Sequence, residues 1–182
     1  MMETFKRFIR ESLDRDSLAI YSGRFQPFTK GHQSMVEEMQ KKYSRLHIFI
    51  VDNSKDKGRN PFSGDLRKEM IEACVKGAEV HVIPTHFIPG AIKFLKLWRG
   101  KEKVVIGSGD DRDYSKVVDP SKTPYEVEIL KVGRDMDAVS GTKTRQAIKD
   151  GDFETYKNLA AKGIDTKEWF DRLKKVLNEI GK

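Results

Sequence analysis

Residues 18–43 read L-A-I-Y-S-G-R-F-Q-P-F-T-K-G-H-Q-S-M-V-E-E-M-Q-K-K-Y. The apolar run from Leu18 to Tyr21, closed by Ser22-Gly23, predicts a buried strand. Gly31 to Tyr43 predicts a helix with Met35, Val36 and Met39 on one side. The chemistry lies between them. Gly23 lets backbone approach a ligand closely, and Pro27 stiffens the turn. Gly31 and His32 stand where the free N–H groups and dipole of a starting helix favour an anion. Arg24, Lys30 and His32 can add donors. The stretch is a candidate phosphate cradle, with neither the P-loop nor the dinucleotide glycine spacing.

Working outward, strands are predicted at 46–51, 80–83, 104–106 and 127–132, and helices at 63–75, 89–98, 140–149, 152–161 and 165–180. Residues 2–14 predict a short amphipathic helix through Phe5, Phe8, Ile9 and Leu13. The polar segments 53–60 and 112–124 read as loops. Strands alternating with helices predict an α/β fold, a Rossmann-like doubly wound parallel sheet of about five strands with additional N- and C-terminal helices. Such sheets bind ligands beyond the carboxyl ends of their strands. That selects the segments after Tyr21, Val51, Ile83, Ile106 and Val132.

The 182 residues suit one domain, and ten Phe within a 37% hydrophobic chain argue against disorder. No apolar run approaches the roughly 18 residues of a membrane span, so no membrane association is expected. The N-terminal residues have no apolar signal-peptide centre. The single Cys74 excludes an internal disulfide framework and points to a cytoplasmic compartment. The net charge of +7 fits either a lysine-rich soluble surface or a site for anions, and composition does not choose between them.

Gly23-Arg24-Phe25-Gln26-Pro27-Phe28-Thr29-Lys30-Gly31-His32 resembles the G-x-F-x-P-(H/T)-x-G-H signature of the nucleotidylyltransferase superfamily, with one residue inserted after the proline. It is most like the archaeal-type nicotinamide mononucleotide adenylyltransferases, with Thr29 where their first histidine stands. Val139-Ser140-Gly141-Thr142-Lys143-Thr144-Arg145 is similar to the superfamily's I-S-(S/G/A)-T-x-x-R at a helix start. Asp150-Gly151-Asp152-Phe153 resembles the D-G-D-W of the archaeal-type enzymes. Arg59-Asn60-Pro61-Phe62-Ser63 followed by Arg67 resembles their R-(N/D)-P-F-T-x-x-E-R. Ile106-Gly107-Ser108-Gly109-Asp110 is comparable to a strand-end G-x-D. Together the matches cover about residues 18–155 in the expected order.

The resemblance implies transfer of AMP from ATP to a phosphate-bearing acceptor with release of pyrophosphate, the acceptor being nicotinamide mononucleotide and the product NAD. It implies catalytic roles for His32, Thr29, Arg24 and Arg145. Nucleotide binding would fall to Gly23, Arg24, Phe25, Gln26, Pro27, Thr29, Gly31 and His32, to Gly107, Gly109 and Asp110, and to Ser140, Gly141, Thr142, Lys143, Thr144 and Arg145. Acceptor binding is expected among Arg59, Asn60, Phe62, His86, Phe87, Phe94 and Trp98. Magnesium would arrive with the triphosphate, without a dedicated protein ligand. The implied organisation is an N-terminal helical extension at 1–16 and a nucleotidylyltransferase domain at 17–182 that includes the C-terminal helices.

Some residues have plainer readings. Asp110-Asp111 suits a turn or helix cap. His47 and His81 fall inside strands as structural or surface residues. Cys74, and the set Phe94, Leu95 and Trp98, read as core. Arg67 reads as a helix-surface partner of Asp65 or Glu69. The tryptophan that stacks on nicotinamide in the archaeal-type enzymes has no clean counterpart here, and neither has its preceding aspartate. Other acceptors therefore stay open: phosphopantetheine, glycerol phosphate, choline phosphate or a flavin, with ATP or CTP as donor. So does a nucleotide-binding module without catalysis. Scattered basic loops without an aromatic platform argue against nucleic acid. Homo-oligomerisation is left open.

Overall fold

The computed structural model describes residues 14, 16–52, 58–84, 86–100, 102–109, 118, 121, 123–132 and 140–180. The helix expected at 2–14 lies outside these residues apart from Asp14, as do Asp110, Asp111 and Val139. The strands are β1 (Leu18–Gly23), β2 (Leu46–Val51), β3 (Ala78–Ile83), β4 (Val104–Gly109) and β5 (Val127–Val132). They form one sheet in the order β3-β2-β1-β4-β5, with every neighbouring pair parallel. The described helices are α1 (Lys30–Gln40), α2 (Gly64–Cys74), α3 (Ile88–Phe94), α4 (Gly141–Asp150), α5 (Phe153–Leu159) and α6 (Thr166–Ile180). This is the Rossmann-like α/β sheet expected from the alternation of strands and helices.

The strand order explains why one turn dominates the sequence. The chain runs outward from β1 through β2 to β3, then returns to lay β4 on the other side of β1. The direction reverses at β1, and the crevice at such a switch point is where parallel sheets take ligands. β1 and β2 are buried at every residue because helices cover both faces, which is why they read as continuous apolar runs. Ala19, Tyr21, Leu46, Ile48, Ile50 and Val105 face one core with α1, α2 and α4–α6. Leu18, Ile20, Phe49, Val51, Val104 and Ile106 face the other, closed by Ile88, Ala91 and Ile92 of α3.

Two elements differ from the sequence reading. β4 continues past Ile106 because Gly107, Ser108 and Gly109 pair with Leu130, Lys131 and Val132. α3 stops at Phe94, and Lys96 just beyond takes a left-handed φ of 53°. The early stop leaves Phe94 81% exposed, which corrects its placement in the core. Leu95 and Trp98 do pack against the second core.

The C-terminal helix returns onto the domain. Its apolar face carries Trp169, Phe170, Leu173 and Leu177 into the first core. Arg172 lies 4.3 Å over the Trp169 ring and donates twice to Glu69 of α2, each bond 2.7 Å. Gln33 of α1 accepts the Lys162 N–H at 2.7 Å and donates to its carbonyl at 3.2 Å. Among the described residues no helix is long and apolar enough to cross a membrane.

Candidate active site

The turn after β1 is held by aromatic packing. Phe25 takes a left-handed φ of 47°, strained for a side chain of its size. Its buried ring lies 5.2 Å from Tyr21, 5.5 Å from Phe28 and 5.2 Å from His32, centroid to centroid. A Cβ at Gly23 would sit 2.8 Å from that ring, so the fold of the turn explains the glycine.

Thr29 and His32 open α1 as a reciprocal pair. The Thr29 backbone N–H donates to His32 Nδ1 at 3.1 Å, and Thr29 Oγ1 lies 2.9 Å from the same nitrogen. This occupies the position that glutamate holds in an ordinary capping box. A ring nitrogen that accepts a backbone N–H cannot carry hydrogen itself, so the ring carries it on Nε2 as a donor. Phe28 stacks on the ring at 5.5 Å and fixes its plane. Thr29 is fully buried against this pair.

The second predicted segment packs directly on the first. Ser140 caps α4 by accepting the Lys143 N–H at 3.1 Å. Arg145, one turn on, donates from Nη1 to the Gln26 carbonyl at 2.5 Å and from Nη2 to Thr142 Oγ1 at 3.3 Å. A Cβ at Gly141 would stand 2.7 Å from the same carbonyl, so glycine there permits the close approach. Burial, and then the positive charge of Arg24, push the Arg145 pKa down. Two guanidinium groups held near each other and flanked by two helix starts are suited to a polyanion placed between them.

The third segment is bound in as well. The Gln26 amide pairs with Phe62 in both directions: Nε2 donates to the carbonyl at 3.0 Å and Oε1 accepts the N–H at 3.1 Å. Gln26 therefore fixes the position of the 59–63 segment. Arg59 is exposed, whereas Asn60 is buried with its Oδ1 unpartnered. The Phe62 ring is fully buried in the core, which corrects its expected contact with the acceptor. Thr144 is also fully buried, with its hydroxyl donating to the Ser140 carbonyl, so its expected contact with nucleotide is corrected too. Gly107 lies under Met39, where a Cβ would meet Sδ at 2.4 Å, and so serves packing. Gly109 ends β4, while Asp110 lies outside the described residues.

Arg67 was misplaced by its sequence context. It is the largest fully buried side chain among those described. Its Nε donates to the Ser63 carbonyl at 3.1 Å, and Nη1 to the carbonyls of Arg24 at 2.6 Å and Val51 at 3.0 Å. Nη2 meets Asp52 Oδ1 at 2.5 Å. Burial pushes its pKa down, opposed by Asp52. One guanidinium thus joins the turn after β1, the end of β2 and the start of α2. Glu69, offered as its surface partner, pairs with Arg172 instead. The usable signal was its place in the Arg59-to-Arg67 segment.

The aromatic candidates on the far side of the sheet separate by position. His86 and Phe87 are exposed where the chain leaves β3, at the ligand end. Trp98 donates from Nε1 to the Glu102 carbonyl at 3.0 Å and packs 5.5 Å from Tyr125. Glu102 and Tyr125 immediately precede β4 and β5, so Trp98 stands at the opposite end of the sheet. A cavity of about 620 Å³ lined by Phe87, Ile92, Lys93, Lys96, Trp98 and Tyr125 runs along this side.

A parallel sheet whose switch-point strand feeds a tightened turn and a histidine-headed helix, joined to a second helix start by arginine, defines an α/β protein built for nucleotide phosphates. The chain belongs to the cytidylyltransferase-like family, whose model matches residues 20–147. A nicotinamide-nucleotide adenylyltransferase from Sulfurisphaera tokodaii is 32% identical over 80% of this chain and 87% of its own length. A phosphopantetheine adenylyltransferase from Staphylococcus carnosus is 30% identical over 42% of this chain and 45% of its own. In fold, the chain superposes with a TM-score of 0.63 and 18% identity on a bifunctional NMN adenylyltransferase/ADP ribose pyrophosphatase from Francisella tularensis, solved with AMP and a manganese ion. That superposition covers 89% of this chain and 49% of the other, so the chain spans about half the length of the bifunctional protein.

Proposed function

We propose that the protein is an adenylyltransferase that joins AMP from ATP to nicotinamide mononucleotide, producing NAD and pyrophosphate. The observation that carries the phosphate half is the bond from Arg145 to the Gln26 carbonyl, which brings both helix starts and the Arg24–Arg145 pair to one crevice. The choice of acceptor is supported by the Sulfurisphaera tokodaii relative, which matches along most of both chains.

In this reading an oxygen of the acceptor phosphate attacks the α-phosphorus of ATP. The bond from that phosphorus to the α,β-bridging oxygen breaks, and pyrophosphate leaves with the electron pair. The nucleophile is already an anion, so positioning and charge stabilisation supply the catalysis. His32 Nε2–H donates to the charge that develops on the phosphate oxygens. Arg145 and Arg24 hold the triphosphate, and Thr29 fixes the His32 tautomer. ATP enters as its divalent-metal complex, magnesium in the cell, in a cytoplasmic compartment. The buried Asn60 Oδ1 supports an acceptor carrying an amide N–H, because a buried carbonyl oxygen gains from a donor.

Phosphopantetheine is the second acceptor to weigh, because the Staphylococcus carnosus relative matches over part of the chain. The test is pyrophosphate release from ATP and from CTP in the presence of each phosphorylated acceptor. The proposal expects ATP with nicotinamide mononucleotide to give the highest kcat/KM. A higher value with phosphopantetheine would replace it.

A further inference from the structure

Away from the phosphate crevice, three side chains with metal-ligating atoms converge on the sheet. His47 of β2 lies opposite Glu79 of β3 in register, and His81 is two residues beyond Glu79 on the same face of its strand. His47 Nδ1 and His81 Nε2 face each other at 3.0 Å. Glu79 Oε2 lies 3.8 Å from the first and 3.9 Å from the second. This is the α3 face of the sheet, near the strand starts, so it is remote from the ligand end.

We propose that His47, Glu79 and His81 form a binding site for a divalent transition-metal cation, zinc above all. Two imidazole nitrogens and one carboxylate oxygen are a donor set that suits zinc and leaves a fourth position for water. Nitrogen ligands on tetrahedral zinc stand about 3.3 Å apart, given bonds of about 2.0–2.1 Å. The His47–His81 separation is close to that, and Glu79 needs only a small side-chain movement. Its carboxylate is 73% exposed, which gives it that freedom and the ion an entry path.

The surroundings support ligation. His81 stacks on His47 at 5.3 Å and meets the edge of Phe49 at 5.8 Å, which holds both rings in place. The positive charge of nearby Arg45 is answered by Glu102 at 2.6 Å and by the Leu97 carbonyl at 2.6 Å. An ion here ties the edge strand β3 to β2 through side chains. The site is independent of the adenylyl-transfer reading.

The test titrates ZnCl₂ into the chelator-treated full-length protein by calorimetry, with Co²⁺ as a spectroscopic substitute. One equivalent of Zn²⁺ should bind, the melting temperature should rise with it, and Co²⁺ should give the visible ligand-field bands of a four-coordinate nitrogen–oxygen site. His81→Ala and Glu79→Gln, both at solvent-reachable positions, should weaken Zn²⁺ by at least about tenfold. His81→Ala should also abolish the Co²⁺ bands, and both variants should melt like the parent in chelator. No Zn²⁺ binding by the parent, or equal binding by the parent and both variants, would overturn the proposal.

Discussion

His32 receives the Thr29 N–H on Nδ1, and that one bond decides what the ring can do. It leaves Nε2–H as the donor and removes any role for Nδ1 as a base. A donor aimed at developing charge contributes mainly in the transition state. His32→Ala should therefore lower kcat by at least about a hundredfold while ATP affinity changes little; equal turnover in variant and parent would remove His32 from the mechanism. Arg145 should behave differently, because the oxygens it meets are present in both ground and transition states. Arg145→Ala should raise KM for ATP and lower kcat/KM by about ten- to a hundredfold, the scale of a lost charge-assisted hydrogen bond. A change in acceptor KM alone would reverse the assumed orientation of the nucleotide.

Between elements, Arg67 acts as a positioning residue. It binds carbonyls from two strand ends and the Asp52 carboxylate while fully buried. Arg67→Met leaves those carbonyls and Asp52 without their donor, at a cost of about 3 kcal/mol. The expected result is a lower midpoint in urea unfolding with an unchanged slope. A midpoint equal to that of the parent would mean that the neighbouring elements hold the turn without it. α3 poses a second question of position. Phe87 stands at its ligand-end start and Trp98 beyond its far end. Phe87→Ala should raise KM for nicotinamide mononucleotide by roughly tenfold, from the loss of an aromatic contact, with little change in stability. Trp98→Ala should do the converse, lowering the melting temperature without a selective effect on the acceptor. Selective loss of acceptor binding in Trp98→Ala would move the acceptor site along the cavity.

For the molecule as a whole, legibility followed covalent proximity. Strand, turn and helix at 18–40 could be read because the phosphate cradle is contiguous and its apolar runs are bounded by glycine. The five parallel strands followed from their alternation with helices. Pairings across the sheet could not be read. Arg67 looks like any helix arginine until the sheet brings Arg24, Val51 and Asp52 around it. Phe62 sits in a motif, yet is core, because Gln26 captures its backbone. Phe94 shares the apolar spacing of its helix but falls where that helix ends. His47 and His81 are 34 positions apart and meet only through the β2–β3 register.

The central claim concerns which bond of ATP breaks. Parallel reactions with nicotinamide mononucleotide, one with ATP labelled at the α-phosphate and one with label at the γ-phosphate, decide it directly. The account predicts that α-label appears in NAD and γ-label in pyrophosphate, in equal amounts and only when the acceptor is present. Release of γ-label as inorganic phosphate, or retention of α-label in free nucleotide with every acceptor offered, would contradict it.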